Sequence, residues 1–531
     1  MLRVRNLCLP PEQDSLKNLK KAAAAKLRIP AGEISELRIV RRSIDARKKE
    51  KIQLLYTVDV CVPGEEALLT TNLRDVGAAS EPEYTLPKPG RLPAQRPVIA
   101  GFGPAGMFLA LALAEAGLRP IVLERGEKVE TRTEKVRRFR ETGQLDPECN
   151  VQFGEGGAGT FSDGKLNTGI SGSEVDYILR RFVEFGAQAR IQYDAAPHVG
   201  TDVLKTVVKN LRERVLSLGG EIRFGTKLTE LELHDGRICG VVTESAAGRE
   251  ELSCEALFLA VGHSARDTME MLLRSGAALE PKPFSMGVRI EHLQKEVDRA
   301  QYGRYAGHPA LGAAPYKLAV HLPDGTGVYT FCMCPGGYVM AAASETGGVV
   351  TNGMSYSGRA GENANSALLV TVKPEQFPLP GPLGGVAWQR ELERAAFRYG
   401  GEGYHAPAQR VGDFLDGIAS ARAGKVKPSY LPGVRFGDLH EVLPTALTGP
   451  MAAALPLLEK RLRGFSDREA MLTGPETRSS SPVRILRDEE LQALGVRGLY
   501  PCGEGAGWAG GIVSAAADGL KCAAAYLRTL E

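Results

Sequence analysis

Apolar residues follow a strand–helix–strand pattern between positions 97 and 126, PVIAGFGPAGMFLALALAEAGLRPIVLERG. The short apolar run Val98–Ala100 predicts a buried strand, the long run that follows predicts a buried helix, and Pro120–Leu123 predicts a second strand. Residues 97–114 are uncharged over 18 positions, which is also long enough for a membrane span. The glycines and the proline at the start of this run favour a buried strand and helix instead.

Three glycines separate the first predicted strand from the helix. Gly101, Gly103 and Gly106 have G-x-G-x-x-G spacing, which provides a tight turn, a close approach of the backbone to a pyrophosphate, and close helix–strand packing. Glu124 ends the second strand, where a carboxylate accepts hydrogen bonds from ribose hydroxyls. The pattern predicts a dinucleotide site with these contacts: Gly101, Gly103, Pro104, Ala105, Gly106, Glu124 and Arg125.

The same glycine spacing recurs twice without this context. Residues 154–159 follow no predicted strand, and residues 505–510 are followed by too few residues for a complete βαβ unit. The sequence therefore predicts a single nucleotide-binding domain.

The order of predicted elements indicates an α/β protein with three structural parts. A small N-terminal α/β module covers residues 1–77, and a proline-rich linker covers residues 78–96. Residues 97–276 alternate strands and helices as the first part of a split Rossmann-type dinucleotide-binding domain, and residues 486–531 return to it as the second part. Residues 277–485 are less regular and predict an inserted α+β domain for the substrate.

The composition favours a globular protein of the reducing cytoplasm. The formal net charge is only +3 over 531 residues, so nothing global indicates nucleic acid or an anionic membrane as a partner. Nine cysteines without a C-x-x-C pair do not indicate a disulfide framework, and no Cys/His spacing predicts a metal site. The first residues show no apolar signal sequence.

A basic turn at residues 41–51, RRSIDARKKEK, is the local exception in charge. It is either a contact for RNA or the solvated tip of a hairpin. We favour the hairpin tip because no aromatic side chains interleave the charges.

Two further motifs favour FAD over NAD as the dinucleotide. A predicted strand ends in A-V-G at residues 260–262, and CGEGAGWAGGIVSAAADG at 502–519 predicts another strand, a glycine turn and a helix. The carboxylate of Glu504 is placed for ribityl or pyrophosphate-side hydroxyls, and the helix N-terminus is placed for the flavin carbonyls. The contacts that this predicts are Gly262, Gly503, Glu504, Gly511 and Ile512.

These motifs resemble the large FAD-dependent family that builds one split FAD domain from an N-terminal GxGxxG, a middle A-x-G and a C-terminal G-D/E motif. A narrower resemblance covers nearly the whole chain. It rests on GEGGAGTFSDGKLNT (154–168), PHVGTD (197–202), GHSARDT (262–268), FSMGVRIEH (284–292) and TFCMCPGGYV (330–339). These stretches are similar to the uncharacterised bacterial FAD-dependent dehydrogenases, or NAD(P)/FAD-dependent oxidoreductases, which also carry a small N-terminal domain. The resemblance implies FAD and an oxidoreductase but no substrate.

The glycine-rich loop at 154–168 supplies candidate flavin contacts. Backbone N–H groups of Gly157, Gly159 and Thr160 are expected at the edge of the flavin, although the loop is also explained by pocket shape alone. A cation near flavin N1/O2 stabilises the reduced anionic ring, which makes Lys165 a candidate catalytic residue.

The inserted domain supplies the remaining candidates. Arg289 and His292 are candidate substrate contacts, with surface ion pairing or capping as the alternative. Cys332 and Cys334 form a C-x-C pair whose disulfide would close a short, easily reduced ring, as a redox relay requires. Proximity along a strand alone does not establish such a relay, and Lys165 is expected to matter more to flavin reduction.

The leading hypothesis is an FAD-dependent dehydrogenase or reductase that moves two electrons through flavin N5, with a small-molecule substrate. FAD is expected to be non-covalent, because no attachment residue is evident, and NAD(P)H is expected only as a transient donor. The alternatives are a flavoprotein that docks on RNA through the basic module and a non-catalytic flavin sensor. Nothing in the sequence predicts an oligomeric state.

Overall fold

The computed structural model describes residues 1–80 and 83–531; Glu81 and Pro82 of the predicted linker lie outside the described residues. The helices are α1 (Leu16–Leu27), α2 (Glu65–Thr70), α3 (Pro104–Glu115), α4 (Val129–Thr142), α5 (Ser173–Glu184), α6 (Thr201–Ser217), α7 (Arg266–Arg274), α8 (Gln294–Tyr302), α9 (Gly384–Tyr399), α10 (Val411–Asp416), α11 (Thr445–Glu459) and α12 (Ile512–Arg528).

The strands are β1 (Leu2–Leu9), β2 (Glu36–Asp45), β3 (Gln53–Cys61), β4 (Val76–Ala78), β5 (Val98–Ala100), β6 (Ile121–Leu123), β7 (Glu221–Arg223), β8 (Lys227–His234), β9 (Arg237–Ser245), β10 (Gly248–Ser253), β11 (Leu257–Leu259), β12 (Leu279–Pro281), β13 (Phe284–Leu293), β14 (Ala319–His321), β15 (Gly327–Cys334), β16 (Tyr338–Ala341), β17 (Thr351–Met354), β18 (Asn363–Val372), β19 (Ala406–Arg410), β20 (Val434–Phe436), β21 (Met471–Glu476), β22 (Val483–Ile485) and β23 (Leu499–Pro501).

A five-stranded parallel sheet forms the centre of the first large domain. Its strand order is β23-β11-β5-β6-β7, so the first strand of the motif lies in the middle and the chain winds outward in both directions. This is the Rossmann-type doubly wound order. The antiparallel meander β8-β9-β10 is inserted between β7 and β11. The predicted fold class, a split Rossmann-type domain, is confirmed.

The alternation of side chains along these short strands gives the parallel sheet two apolar faces. One face packs against α3, α5, α6 and α12 through Ile99, Val122, Phe258 and Tyr500. The other face packs against α7 and the meander through Val98, Ala100, Ile121, Leu123, Leu257, Leu259 and Leu499. Burial on both faces explains why every residue of β5, β6 and β11 is apolar.

The inserted domain is built on a seven-stranded mixed sheet of order β14-β15-β18-β13-β21-β19-β20. Alternate residues of β13, namely Phe284, Met286, Val288 and Ile290, share one apolar core with α11. Arg289 and Glu291 therefore project from the opposite face of the strand. β12 and β22 pair as an antiparallel ribbon at the points where the chain enters and leaves this domain.

The N-terminal module is a four-stranded sheet of order β2-β3-β1-β4, with α1 against it. It is docked on both large domains through Arg42. The Arg42 backbone N–H donates to the Tyr193 carbonyl at 2.7 Å, and its guanidinium donates to the Ala310 carbonyl at 2.5 Å. The basic segment 41–51 covers the end of β2 and the tip of the β2–β3 hairpin, as the sequence favoured. Its residues 47–51 are exposed.

The described residues of the linker contain no helix or strand between Ala79 and Pro97. The linker contacts the chain just after the C-terminal helix α12, where the backbone N–H groups of Gly90 and Arg91 donate to the Leu530 carbonyl at 2.8 and 3.0 Å. None of the described helices combines the length and apolar character that a bilayer crossing requires.

Candidate functional site

The glycine turn after β5 brings three backbone segments into close contact. A Cβ on Gly101, whose φ is 99°, would clash with the Ala260 carbonyl just after β11. A Cβ on Gly106 would clash with the Gly101 carbonyl. Gly103 is the N-cap of α3, and Pro104 begins the helix. The unpaired N–H groups of this first turn, which include that of Ala105, form an anion site of the kind that binds a pyrophosphate.

The Glu124 carboxylate follows β6, is 5% exposed and is held by three backbone N–H groups. Phe102 donates to it at 2.8 Å, Gly126 at 2.9 Å and Gly154 at 3.0 Å. A carboxylate has about four acceptor positions, so one remains for a ribose hydroxyl. Its role toward ribose stays a prediction, and its role in joining the glycine turn to the glycine-rich loop was not visible in the sequence.

Arg125 lies beside this acid in a network of its own. Its guanidinium lies 4.0 Å from the centre of the Phe153 ring and pairs with Glu148 at 2.7 Å and Asp267 at 3.1 Å. These neighbours hold the guanidinium in place, and the two carboxylates neutralise its charge. Arg125 therefore offers the site a fixed planar group rather than an unpaired positive charge.

The glycine-rich loop lies directly over the start of α3. A Cβ on Gly157 would come within 3.0 Å of the Gly103 Cα, so the two backbones are in contact. A Cβ on Gly159 would lie 3.0 Å from Ile512 Cγ1 and 3.8 Å from Pro104 Cγ. Residues predicted separately from three distant motifs therefore meet where the first turns of α3 and α12 come together.

The loop is anchored below this contact by Thr160 and Thr201. Thr160 is buried, and its hydroxyl lies 3.5 Å from the Glu155 carbonyl. The Thr201 hydroxyl donates to the Thr160 carbonyl at the start of α6. Thr160 is therefore a buried residue through which the glycine-rich loop is attached to the start of α6.

Arg132 supports the loop and was missed in the sequence. It is fully buried in α4 and donates to four carbonyls, at distances of 2.6 to 3.2 Å, from Asn150, Val151, Gly154 and Glu155. Burial lowers the pKa of Arg132 to about 10. The signal was present, because Arg132 stands at helical spacing in the stripe Val129, Arg132, Val136, Phe139, whose other members are apolar.

Glu155 is a second buried group that the sequence did not indicate. Its carboxylate accepts hydrogen bonds from the Val129 N–H and the Arg212 guanidinium, both at 2.7 Å. Burial raises the pKa of Glu155 to about 7. One of its oxygens has no hydrogen-bond partner among the described residues.

The C-terminal motif forms the other end of the site. A Cβ on Gly505 would clash with the Gly262 carbonyl, and a Cβ on Gly503 would lie 2.8 Å from the Ala105 Cβ. Glu504 accepts a hydrogen bond from the Gly511 N–H at 3.4 Å, at the N-cap of α12. Burial raises the pKa of Glu504 to about 7, so its carboxyl is available in both protonation states near neutral pH.

Arg289 of the inserted domain contacts both cysteines of the C-x-C pair. Its guanidinium donates to the Cys332 carbonyl at 3.0 Å, lies 3.6 Å from the Cys334 Sγ, and pairs with Glu476 at 3.2 Å. The pKa of Cys332 is lowered to about 6 because of its hydrogen bond with Cys334 and the nearby cations Lys165 and Arg289, although burial opposes the shift.

Lys165 belongs to a buried polar cluster beside these thiols. Its Nζ lies 3.7 Å from Asp163 Oδ2, and Arg359 lies 3.6 Å from the same oxygen. The Ser355 hydroxyl donates to Asp163 Oδ1 and lies 3.1 Å from His198 Nε2. Burial lowers the pKa of His198 to about 4, so this imidazole is neutral at pH 7. No sequence spacing indicated Asp163, His198 and Ser355 as a cluster.

His292 is not brought to this site. It projects from the face of β13 opposite to Arg289, and its Nε2 lies 2.7 Å from the Phe465 carbonyl. Its ring packs among Tyr316 and Phe465. The parity of the two positions along the strand explains the difference, since residues three apart face opposite sides.

The predicted cofactor contacts follow the carboxyl ends of four adjacent strands, β6, β5, β11 and β23. Ligands bind at these ends in open α/β sheets. The site has a buried acid after β6, a glycine turn at the start of α3, a glycine loop over that turn, and a second acid at α12. These residues fit the extended FAD molecule, and the fold and site together define a flavoprotein with a split FAD-binding domain.

Comparisons with known proteins agree with this class. Residues 283–479 match a family described as FAD-dependent protein, C-terminal domain-like, and residues 1–61 match a domain of unknown function (DUF8436). A protein of Clostridium beijerinckii, described as uncharacterized, is 47% identical over 525 residues, which cover 98% of each chain. The chain belongs to the same family as this relative. Its match to the FAD-dependent C-terminal domain and the residues of the site agree that FAD is its cofactor.

Solved structures give weaker likenesses. Glycine oxidase from Bacillus cereus aligns over 82% of this chain and 96% of its own, with 13% identity and a TM-score of 0.31. Sdh1 of Mycobacterium smegmatis, in complex with UQ1, aligns over 81% of this chain and 69% of its own, with 17% identity and a TM-score of 0.33. Scores at this level support no inference about the chemistry of this protein.

Proposed function

We propose that the protein is an FAD-dependent oxidoreductase, a dehydrogenase or reductase that moves two electrons through flavin N5 to or from a small substrate. The carrying observation is that the glycine-rich loop contacts both the cofactor turn, where Gly157 lies against Gly103, and the inserted domain, where the Ser355 hydroxyl donates to Asp163. The predicted cofactor turn, the glycine-rich loop and the inserted domain therefore meet at one place.

FAD supplies the two-electron chemistry when it is bound. The protein's own groups divide the remaining work. Lys165 supplies positive charge at the predicted flavin edge, which favours the reduced anionic ring. Glu504, with a pKa of about 7, can hold or release a proton at neutral pH. In this proposal the small-molecule substrate lies between the FAD domain and the inserted domain.

NAD(P)H is proposed only as a transient donor. Among the described residues, one sheet combines successive parallel strands with a glycine turn after its first strand. It is the parallel sheet of the FAD domain. The six-residue motif at 505–510 follows β23, a strand of the same sheet, and leads into α12. A second dinucleotide therefore has no domain of its own in this part of the chain.

Anaerobic stopped-flow spectroscopy of the purified protein tests the proposal. We expect a yellow protein that releases FAD on acid precipitation and that is reduced in a two-electron step by NADH, NADPH or a substrate screened against it. FMN, flavin retained on the pellet, or a flavin that no biological donor reduces would contradict it. The last outcome would favour the flavin sensor.

A further inference from the structure

Cys332 and Cys334 lie at a β-bulge of β15, where the Arg289 guanidinium contacts both residues. The register between β15 and β18 shifts between Phe331 and Cys334, and Cys332 adopts a φ of 42°. A positive φ at a residue other than glycine is strained, and such strain recurs at functional sites. The bulge breaks the regular alternation of the strand at the two cysteines.

The surroundings of the pair distinguish its two sulfur atoms. The Cys334 Sγ lies 3.2 Å from the Cys332 carbonyl and 3.6 Å from the Arg289 guanidinium, and Cys334 is fully buried. Cys332 is only partly buried. The Arg289 guanidinium also lies against Gly353, two residues before Ser355, whose hydroxyl donates to Asp163 of the glycine-rich loop. The cysteine pair thus lies beside the segment through which the inserted domain contacts the glycine-rich loop.

We propose that Cys332 and Cys334 form a redox-active dithiol/disulfide pair that exchanges two electrons with FAD. The inference rests on the proposed function only in requiring a bound, reducible FAD. When the S–S bond forms, the two thiols lose two electrons and two protons. FAD accepts both electrons with one proton, and the second proton passes to solvent. The reverse reaction breaks the S–S bond and returns the electrons to the sulfur atoms.

The positions of the charged groups agree with this exchange. The positive charges of Arg289 and Lys165 stabilise the Cys332 thiolate, which is the form that carries electrons to an acceptor. The negative charge of Asp163 opposes that stabilisation. A ring closed by only one intervening residue is strained, so its disulfide is readily reduced.

Thiol counting and reductive titration of the holoprotein test the pair. In air-oxidised, denatured protein we expect two fewer titratable thiols than the nine cysteines of the chain, and a peptide containing residues 332–334 that is two hydrogen masses lighter. After dithionite reduction all nine thiols should react. The anaerobic dithionite titration should consume twice the reducing equivalents that FAD alone takes.

The variant Cys332→Ser/Cys334→Ser should take only the equivalents of FAD, whereas the matched control Cys239→Ser, at an exposed cysteine on β9, should behave as the parent protein. Equal consumption by parent and double variant, with no change in thiol count, would overturn the proposal. The measurements on the parent protein decide the question even if the double variant fails to fold. Because dithionite is a chemical donor, failure of the pair is distinguishable from a flavin that NAD(P)H does not reduce.

Discussion

The Glu124 carboxylate accepts a hydrogen bond from the Gly154 backbone N–H at 3.0 Å, across 30 residues of sequence. The acid expected at the ribose therefore also fixes the glycine-rich loop that lies over the cofactor turn. Loss of this side chain should act on both the adenosine end and the flavin end of the site.

Replacement of Glu124 with alanine should weaken FAD retention and lower stability together. Three buried N–H groups lose a charged acceptor, and such hydrogen bonds contribute about 1.5–3 kcal/mol each. Glu124→Gln should lie between the parent and the alanine variant, because it keeps an acceptor without the charge. The measurements are FAD dissociation in a dilution series and thermal unfolding. Glu213→Ala, at an exposed helical glutamate, is the control. FAD retention equal to that of the parent would show that the adenosine end lies elsewhere.

Gly157→Ala should abolish FAD binding through a steric effect on one backbone contact. Its Cβ would press on the Gly103 Cα and lift the loop from the start of α3. Gly417→Ala is the matched control, because Gly417 has a φ of 67° against 61° for Gly157 and open space around its Cβ. The left-handed conformation alone costs roughly 1–2 kcal/mol in either variant. A loss of flavin in both variants would assign the effect to backbone strain instead.

Arg132→Lys should destabilise the loop while retaining the positive charge. Lysine cannot reproduce the planar fork that donates to four carbonyls, so several acceptors lose their partner. We expect a loss on the order of 3 kcal/mol in the free energy of unfolding, measured by denaturant titration, with faster release of FAD. Arg138→Lys, exposed on the same helix, should change neither quantity. Unchanged unfolding of Arg132→Lys would contradict the support that we assign to this residue.

The alkylation rate of Cys332 should depend on pH in an unusual range. The thiolate reacts and the thiol does not, and the pKa of Cys332 is lowered to about 6, chiefly by the hydrogen bond with Cys334. In the reduced protein, the rate with iodoacetamide should therefore rise through pH 6 and level off near neutrality, whereas free cysteine, with a pKa of about 8.5, continues to gain reactivity above pH 8. In Cys334→Ser the midpoint should move upward. Mass spectrometry of the 332–334 peptide measures the rate, and a midpoint near that of free cysteine would refute the assigned environment.

Lys165→Met should lower the midpoint potential of the flavin. A lost charge contribution of about 1.4 kcal/mol corresponds to roughly 30 mV for a two-electron couple. Lys209→Met, on the exposed side of α6, is the control. The double serine variant at Cys332 and Cys334 should change the flavin's own midpoint potential less than Lys165→Met does, because reduction of the flavin needs no thiol. An unchanged potential in Lys165→Met would remove this lysine from the flavin edge.

Local sequence patterns were enough to predict the Rossmann-type unit and its cofactor class. The apolar runs around Gly101, Gly103 and Gly106 specify strand, turn and helix through interactions within a few residues, and glycine is required where backbones touch. The same kind of local pattern predicted the strand, glycine turn and helix at 502–519, where β23 and α12 lie. Local patterns missed β10, whose residues GREELS are too polar to show strand alternation, and the short α2 and β4.

The contacts between distant segments could not be predicted from such local patterns. Gly157 lies against Gly103, Arg132 lies under the loop, and Arg289 contacts both Cys332 and Cys334, because the packing of whole sheets and helices sets these distances. A local pattern fixes the face of a strand from which a side chain projects, as the parity of Arg289 and His292 shows. It carries no information about the element that covers that face, since the covering residues are remote in sequence and are selected by the burial of the complete core.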